Sequence, residues 1–536
     1  MKRRIELYDT TLRDGAQTEG VSFSVADKLR IARRLDEFGL DYIEAGWPGS
    51  NPKDIETYEA LRGSRFVHAR LCAFGSTRRP QTHAADDPLL QILIASGAPV
   101  ITIFGKTWDF HVTHALRTTL NENLAMIRDS VGFLAQHAEV IFDAEHFFDG
   151  FKANPRYALE CLKAAEEAGA RVVVLCDTNG GTLPDRVAEA THRALEALSC
   201  NVGIHAHDDS GCAVANSLAA VMAGASHVQG TINGLGERCG NANLCTLAAN
   251  LRYKLDMDIL QTDSLAHLTA ISQFVDEVAN LHRNDRLPYV GRSAFAHKAG
   301  MHVDAVTKHS SMYEHIDPRS VGNTQRILVS ELSGGATVAS KAMLRAMDVT
   351  KRSPEARHLL KRIAEMEHDG YSFEGAEASF ELLLMETAGE CRHICDIEGF
   401  RVIVEKRGNG EPTTEATVKL RIGDEERLTV AEGDGPVHAL DQALRKALRR
   451  AYPELEHIRL TDFKVRVVNV REGTAARVRT MVESRQGERS WSTVGVSTNM
   501  IEASWHALVD SIRYGLMLPP ESSDNPTYSA DAPSTS

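Results

Sequence analysis

The sequence predicts an α/β protein built from an N-terminal (β/α)8 TIM barrel, helical linker subdomains and a C-terminal α+β domain. Over residues 1–262, eight short apolar runs alternate with amphipathic helical patterns, as in a barrel of strands joined by crossover helices. Residues 263–375 lose this rhythm and favour helices and loops. Residues 376–518 are β-rich and contain a weak internal repeat, which predicts a separate domain.

The barrel prediction depends on eight runs with strand character. These runs are Ile5–Asp9, Tyr42–Ala45, Arg70–Phe74, Val100–Phe104, Val140–Asp143, Val172–Cys176, Val202–Ala206 and His227–Ile232. The structural alternative is an open doubly wound sheet, which normally has fewer strands and a glycine-rich phosphate loop after the first. The segment Thr10–Gly15 that follows the first run is not glycine-rich, so the sequence favours the barrel.

Amphipathic helices are predicted between most of these runs. In Val25–Phe38, apolar residues including Leu29 and Leu35 share one side while Lys28 and Arg33 lie off it. The other helices predicted in the barrel are Asn121–Ala135, Pro155–Ala168, Pro184–Leu198 and Cys212–Ala223. Proline suits the first turn of a helix, where its missing N–H costs nothing.

Further elements are predicted in the second half of the chain. In the linker region, Leu265–Leu281 and Glu355–Glu367 have helical patterns. In the C-terminal domain the predicted strands are Ala416–Arg421, Ala476–Val482 and Trp491–Val496, the predicted turn is Glu432–Val437, and the predicted helices are His438–Leu448 and Met500–Gly515. Residues 519–536 are rich in proline and serine, so we expect them to be disordered.

Composition restricts the class of protein. A formal net charge of −13 disfavours nucleic-acid or anionic-membrane partners, which select a basic surface. Nine scattered cysteines in 536 residues are not a disulfide framework and fit a reducing cytosol. No apolar stretch is long enough to span a bilayer, and the N-terminus is not a signal peptide. We therefore expect a cytoplasmic protein.

A metal site is predicted at the carboxyl end of the seventh strand. Alternate residues of a strand share a face, so His205 and His207 point the same way and could hold one cation. This end of a barrel is where active sites are built. Polar groups follow six of the eight predicted strands there; they are Arg13, Asp14, Glu44, Glu145, Asp177, Thr178, the two histidines and the segment Asn233–Asn241. For any one of them, a solvated strand end or a helix cap is the alternative.

Three segments closely resemble signatures of the DRE-TIM metallolyase family. They are Asp9–Gln17 (DTTLRDGAQ), His205–His207 (HAH) and Gly234–Asn241 (GLGERCGN). The family includes 2-isopropylmalate synthase, homocitrate synthase, citramalate synthase and 3-hydroxy-3-methylglutaryl-CoA lyase. Phe104–Val112 and Asp143–Lys152 are most similar to the citramalate synthase branch. This resemblance implies an acyltransferase that condenses acetyl-CoA, pyruvate and water to (R)-citramalate and CoA, in a route to isoleucine.

The resemblance also implies a cofactor and its ligands. One divalent cation, Mn²⁺, Mg²⁺ or Zn²⁺, would be ligated by Asp14, His205, His207 and Asn241, a mixed nitrogen and oxygen set. The cation would polarise the ketone of a 2-oxo acid. Arg13 would stabilise the negative charge that grows on that oxygen. Thr178 resembles a residue that binds the carboxylate of the oxo acid, and Glu44 matches a substrate-binding position at the mouth.

Further family positions point to the base that removes a methyl proton from acetyl-CoA. His302 and Glu145 are the candidates, with the carboxylate orienting the imidazole, and Tyr313 resembles a family tyrosine near the nucleophile. His302 would serve its own site or that of a neighbouring subunit. His297 lies in the same segment and is interpreted as structural. Bulky Trp108, Phe147 and Phe148 are expected near the mouth, where they would favour pyruvate.

The C-terminal repeat resembles the allosteric domain of isopropylmalate and citramalate synthases. It implies a homodimer regulated by an amino acid, with isoleucine as the expected ligand. Three alternatives remain: the same chemistry on a larger oxo acid, giving 2-isopropylmalate or homocitrate; a lyase or aldolase on the same barrel; and a catalytically silent amino-acid sensor. The C-terminal repeat argues against the lyase, and the intact catalytic set argues against the sensor.

Overall fold

The chain folds into two compact units. The computed structural model describes residues 2–261, 263–298, 300–329, 338, 353–408, 410–468, 475–487 and 489–518. The first unit contains the residues up to Phe295 together with Glu314–Gln325, and the second contains Ala296–Tyr313 and the described residues from Arg326 onward. The domain boundaries expected at residues 262, 375 and 518 stay predictions, and the tail predicted to be disordered lies outside the described residues.

The first unit is built around a closed barrel of eight strands, which confirms the predicted fold class. The strands are β1 Glu6–Asp9, β2 Tyr42–Gly46, β3 Arg70–Ser76, β4 Val100–Lys106, β5 Glu139–Glu145, β6 Val172–Asp177, β7 Asn201–Ala206 and β8 His227–Gly230. Each strand pairs in parallel with its sequence neighbour, and β1 closes the ring on β8, with Glu6 opposite His227. All strand ends that carry the candidate residues therefore meet at one mouth.

Helices cover the outside of the barrel. Those of the first unit are α1 Val25–Phe38, α2 Pro52–Leu61, α3 Pro88–Ala95, α4 Asp109–His114, α5 Leu120–Leu134, α6 Phe147–Ala153, α7 Pro155–Glu167, α8 Pro184–Ala197, α9 Ala213–Ala223, α10 Leu244–Tyr253 and α11 Leu268–Val278. Helix α1 has the predicted bounds because Ser24 and Asp27 form a capping box and Gly39, at φ +96°, ends it in the left-handed region. Several short helices, such as α3 and α6, were missed because they lack a clear apolar period.

The barrel interior is mostly apolar, with a buried polar layer below the mouth. One buried cluster contains strand side chains such as Val100, Ile141 and Val172, and a second, larger cluster joins strands to helices. Tyr8, Thr102, Asp143 and Gln229 are polar and buried within this barrel. Buried polar groups are stable only when hydrogen-bonded, so their contacts bear on the site above them.

The second unit contains two three-stranded antiparallel sheets, each followed by a helix, together with the linker elements. Its elements are β9 Ala296–His297, α12 Gly300–Lys308, β10 Arg326–Ile327, α13 Pro354–His368, α14 Glu377–Ala388, β11 Asp396–Glu405, β12 Thr413–Ile422, β13 Glu425–Gly433, α15 Pro436–Leu448, β14 Arg459–Val467, β15 Val478–Gln486, β16 Arg489–Ser497 and α16 Met500–Met517. Strand order is β11-β12-β13 in one sheet and β14-β15-β16 in the other, so the repeat is a strand–strand–strand–helix unit.

Two sequence expectations in this unit were incomplete or wrong. Strands β11, β13 and β14 were missed because their many charged residues lie on exposed faces and hide the apolar alternation. The predicted turn Glu432–Val437 is wrong at both ends, because β13 includes Gly433 and α15 begins at Pro436. The predicted helices of the repeat are confirmed and begin and end within two residues of their observed bounds.

Two expectations concerned the environment of the chain. No helix among the described residues combines the length and the apolar character that a membrane crossing needs. The nine cysteines all lie in described segments and form no disulfide. A cytoplasmic location stays a prediction.

Candidate active site

Three candidate ligands converge at the barrel mouth. Asp14 lies in the loop after β1, and His205 and His207 lie at the end of β7 and just beyond it. The two histidine Nε2 atoms are 3.3 Å apart, and Asp14 Oδ2 lies 3.4 Å from Nε2 of His205 and 3.9 Å from that of His207. Within the described residues this trio is the one group of histidine, cysteine and acidic side chains with metal-ligand spacing.

Asn241 lies next to His207, at the end of a glycine-rich loop that follows β8. Its backbone forms an antiparallel bridge with His207, and its Nδ2 donates to the carbonyl oxygen of Leu235 at 3.1 Å. A Cβ atom on Gly236, at φ +159°, would lie 2.2 Å from Asn241 Nδ2, so a side chain there would displace the Asn241 amide. Asn241 Oδ1 is buried and has no hydrogen-bond partner among the described residues, which leaves it available as a ligand.

The electrostatics of the trio fit a divalent cation. Burial and the neighbouring His205 lower the pKa of His207 to about 4, so this ring is neutral at physiological pH. Burial alone would raise the pKa of Asp14, but Arg13 and the hydrogen bond with His205 hold it below its usual range. Burial would lower the pKa of His205, but Asp14 raises it. The site thus offers an ionised carboxylate and a neutral imidazole and attracts positive charge.

Arg13 is held beside the trio by a buried carboxylate. Its Nε donates to Glu44 Oε1 at 2.6 Å, while Tyr8 donates its hydroxyl to Glu44 Oε2 at 2.6 Å. The guanidinium lies 3.7 Å over the ring of Phe74 and 3.6 Å from Asp14. Glu44 is fully buried with both oxygens engaged, so it orients Arg13, and the predicted direct contact between Glu44 and substrate stays a prediction.

Glu145, the last residue of β5, and Thr178, just after β6, lie on the opposite side of the mouth. Glu145 forms an ion pair with Lys106, its register partner at the end of β4. The Thr178 hydroxyl accepts a hydrogen bond at 2.9 Å from the backbone N–H of His146, which adopts the left-handed conformation. Lys106 and His146 were not predicted from the sequence. Lys106 is a polar residue at the carboxyl end of a strand, the same pattern that predicted Glu145.

Aromatic residues lie on two sides of the mouth. Phe147 and Phe148 begin α6, just after β5, and are buried against the barrel core, so their expected influence on substrate choice stays a prediction. Trp108 is partly exposed and stacks on the ring of His111 at 4.9 Å. The aromatic residues beside Arg13 are Phe74, Phe104 and Trp47, whose rings pack at 5.6–5.7 Å from one another.

His302 and Tyr313 belong to the second unit. His302 lies on α12, and its ring stacks on Tyr313 with centroids 4.1 Å apart. The structure therefore brings these two predicted residues together, while their action at the barrel site stays a prediction. His297 is buried in β9, which pairs with β10, in agreement with its structural interpretation.

Three known protein families match successive parts of the chain between residues 4 and 516. The HMGL-like family matches residues 4–275, which include the whole barrel. The homocitrate synthase post-HMGL domain-like family matches residues 289–370, and the LeuA allosteric (dimerisation) domain matches residues 374–516. The order of the three matches follows the predicted order of barrel, linker and C-terminal domain.

Full-length relatives are found in distant organisms. The (R)-citramalate synthase of Aquifex aeolicus is 52% identical over 520 residues, which cover 96% of this chain and 98% of that protein. The enzyme of the same name from Synechocystis is 51% identical over 530 residues, covering 96% and 97%. A probable 2-isopropylmalate synthase of Methanopyrus kandleri is 31% identical over 515 residues, covering 96% and 98%. On this similarity, the chain belongs to the (R)-citramalate synthase family.

Proposed function

We propose that the protein condenses acetyl-CoA with pyruvate and water to give (R)-citramalate and CoA. The observation that carries the proposal is the identity of about half of all residues with (R)-citramalate synthases over nearly the whole chain. Identity falls to 31% with the 2-isopropylmalate synthase relative, which favours pyruvate over a larger oxo acid. The cluster of Asp14, His205 and His207 at the barrel mouth supports the same chemistry.

A divalent cation would be held by Asp14, His205, His207 and Asn241. The close approach of the first three and the buried, unpartnered Oδ1 of Asn241 support this assignment. When bound, such a cation supplies Lewis acidity toward the keto and carboxylate oxygens of a 2-oxo acid. Mn²⁺, Mg²⁺ and Zn²⁺ all accept this donor set, and metal analysis of the purified protein would identify the native one.

Arg13 is assigned to stabilise charge on the former keto oxygen. Its guanidinium is permanently charged, and the ion pair with Glu44 raises its pKa above the ordinary value although burial would lower it. Glu44, itself held by Tyr8, restricts the guanidinium to one orientation. A preorganised cation near the growing oxyanion lowers the barrier because it needs no reorientation during the reaction.

Carbon–carbon bond formation requires a base for the acetyl-CoA methyl group. We assign the removal of a methyl proton to His302, with Glu145 as the carboxylate that orients the imidazole and Tyr313 beside it. The resulting carbon nucleophile attacks the keto carbon, Arg13 faces the developing oxyanion, and water then cleaves the thioester to release CoA. Thr178 is assigned to bind the carboxylate of pyruvate, and the stacking of His302 on Tyr313 supports their joint role.

The C-terminal domain is assigned to dimerisation and to feedback control by isoleucine, the amino acid that this reaction would supply. Its match to the LeuA allosteric (dimerisation) domain and its duplicated sheet–helix units support both roles. A cavity of about 760 Å³ beside α15 and β14 is lined by the ion pair of Asp441 and Arg445, which an amino acid with its two charges would replace. Calorimetry on the full chain should show heat of binding with isoleucine. No heat with isoleucine, or heat with leucine alone, would contradict this assignment.

A thiol-release assay tests the main proposal. Full-length protein with Mn²⁺, acetyl-CoA and pyruvate should release free CoA and form citramalate, identified by mass spectrometry. Omission of pyruvate is the control, since it reveals simple thioester hydrolysis. CoA release without citramalate, or none above the rate without protein, would contradict the proposed function.

A further inference from the structure

A buried hydrogen-bonded chain continues from the predicted metal ligands into the barrel. His205 Nδ1 lies 3.0 Å from Oε1 of Gln229 on β8. Gln229 Nε2 in turn lies 3.0 Å from Oδ1 of Asp143 on β5. Gln229 is fully buried and Asp143 is 4% exposed, so neither group has water as an alternative partner.

The direction of each hydrogen bond follows from the chemistry of the partners. In the structure the amide nitrogen of Gln229 faces Asp143 and donates to its Oδ1, while Gln229 Oε1 faces His205. An amide oxygen can only accept, so in this orientation Oε1 pairs with an N–H of His205. His205 must therefore donate from Nδ1. In the neutral ring the lone pair is then on Nε2, the atom that faces Asp14 and His207.

His207 differs from His205 in this respect. Its Nδ1 is buried and has no hydrogen-bond partner among the described residues. The two imidazoles point their Nε2 atoms at each other, but a side-chain acceptor defines the tautomer of His205 alone. Removal of Gln229 should therefore affect one ligand and leave the other in place.

We propose that Gln229, oriented by Asp143, is a positioning residue that holds His205 in the tautomer able to bind a divalent cation. The inference rests on the proposed metal site. An acceptor behind a ligating imidazole fixes its ring, increases its basicity and strengthens metal binding. The alternative is that Asp143 and Gln229 form a polar pair that stabilises the barrel and has no effect on the metal.

The test is calorimetric titration of the metal-stripped full-length protein with Mn²⁺ alone. Gln229→Met keeps the length of the side chain but removes the acceptor, and should weaken Mn²⁺ binding by about 10- to 100-fold. Gln229→Glu retains an acceptor for His205 and should bind Mn²⁺ close to the wild-type affinity. Asn123→Leu is the matched control, because Asn123 is a buried amide of α5 that contacts Tyr157 and no predicted ligand.

Thermal unfolding separates a metal effect from a stability effect. Loss of Mn²⁺ affinity in Gln229→Met with Tm falling no further than in Asn123→Leu would support the inference. Equal Mn²⁺ affinity in Gln229→Met and wild type would overturn it, and so would loss of affinity in Gln229→Glu equal to that in Gln229→Met. Absence of stoichiometric Mn²⁺ binding by the wild type would instead contradict the metal site of the proposed function.

A second variant and a spectroscopic readout keep the test decisive if Gln229→Met does not fold. Asp143→Asn preserves an acceptor for the Gln229 amide, whereas Asp143→Leu removes it and lets the amide rotate. Asp143→Leu should weaken Mn²⁺ binding and change the visible d–d absorption of bound Co²⁺, while Asp143→Asn should leave both near wild type. Identical spectra and affinities for both variants would refute the role of Asp143.

Discussion

Nε2 of His205 and Nε2 of His207 lie 3.3 Å apart, with the ionised carboxylate of Asp14 within 4 Å of both. The negative charge of Asp14 and the Nε2 lone pair of neutral His205 repel one another at this separation unless a positive charge lies between them. In a buried site that repulsion is weakly screened. The geometry of the histidine pair is therefore the structural reason to expect a cation at this mouth.

Removal of His207 tests the metal site. We expect His207→Ala to lose stoichiometric Mn²⁺ binding and to reduce condensation to background, because the remaining donors cannot hold the cation tightly. The barrel should stay folded, since His207 follows β7 and packs at the mouth. His192→Ala, on the exposed face of α8, is the control and should match wild type. Near-normal turnover of His207→Ala after chelation would refute the metal assignment.

Replacement of Arg13 by lysine tests charge stabilisation in the transition state. Arg13→Lys keeps the charge but loses the planar group that binds Glu44 and lies over Phe74. We expect kcat to fall by roughly 100- to 1000-fold, with a much smaller change in KM for pyruvate. Arg33→Lys on the exposed part of α1 is the control. A rise in KM with unchanged kcat would show that Arg13 only binds substrate.

The base assignment is tested by isotope exchange. In D₂O, an enzyme with a competent base exchanges the methyl protons of acetyl-CoA in the presence of a non-reacting oxo-acid analogue. His302→Ala should suppress this exchange, whereas His309→Ala, an exposed neighbour, should not. Mass spectrometry of the recovered acetyl-CoA measures the deuterium content. Undiminished exchange in His302→Ala would move the base to Glu145.

Asp9 makes stability depend on pH. Its carboxylate accepts hydrogen bonds from the N–H and the hydroxyl of Thr11, but burial raises the pKa of Asp9 to about 7. Between an unfolded pKa of about 4 and pH 7, Asp9 is protonated when folded and ionised when unfolded. Its contribution to stability therefore falls as pH rises through this range, by about 1.4 kcal/mol per unit of pKa shift.

The corresponding measurement compares Tm at pH 5 and pH 7.5. Asp9→Asn should lose less stability than wild type over this interval, because the amide does not ionise. Asp185→Asn, an exposed aspartate at the start of α8, should behave like wild type. An equal fall in Tm for Asp9→Asn and wild type would mean that Asp9 is ionised in the folded protein at both pH values.

The barrel, and the strand ends that carry its candidate ligands, could be predicted from local sequence patterns, because strand alternation and helical period are local properties. His205 and His207 could be found in this way, and Asp14 by resemblance. Tyr8 and Gln229 could not, since each lies inside a strand and acquires its role from contacts more than 20 residues away. The orienting role of Glu44 also required the tertiary structure, because Arg13 and Tyr8 meet it only in the folded barrel.

Substrate choice is the most direct measure of the proposed function. Phe74, Phe104 and Trp47 pack together beside Arg13, and we expect them to limit the space for a branched side chain on the oxo acid. Extra methyl groups change binding in a pocket by roughly 1–3 kcal/mol, so steric clash should dominate discrimination. The measurement is kcat/KM for pyruvate and for 2-oxoisovalerate with saturating acetyl-CoA and Mn²⁺. We predict a preference for pyruvate of about 100-fold or more; equal values, or a preference for 2-oxoisovalerate, would contradict the proposed function.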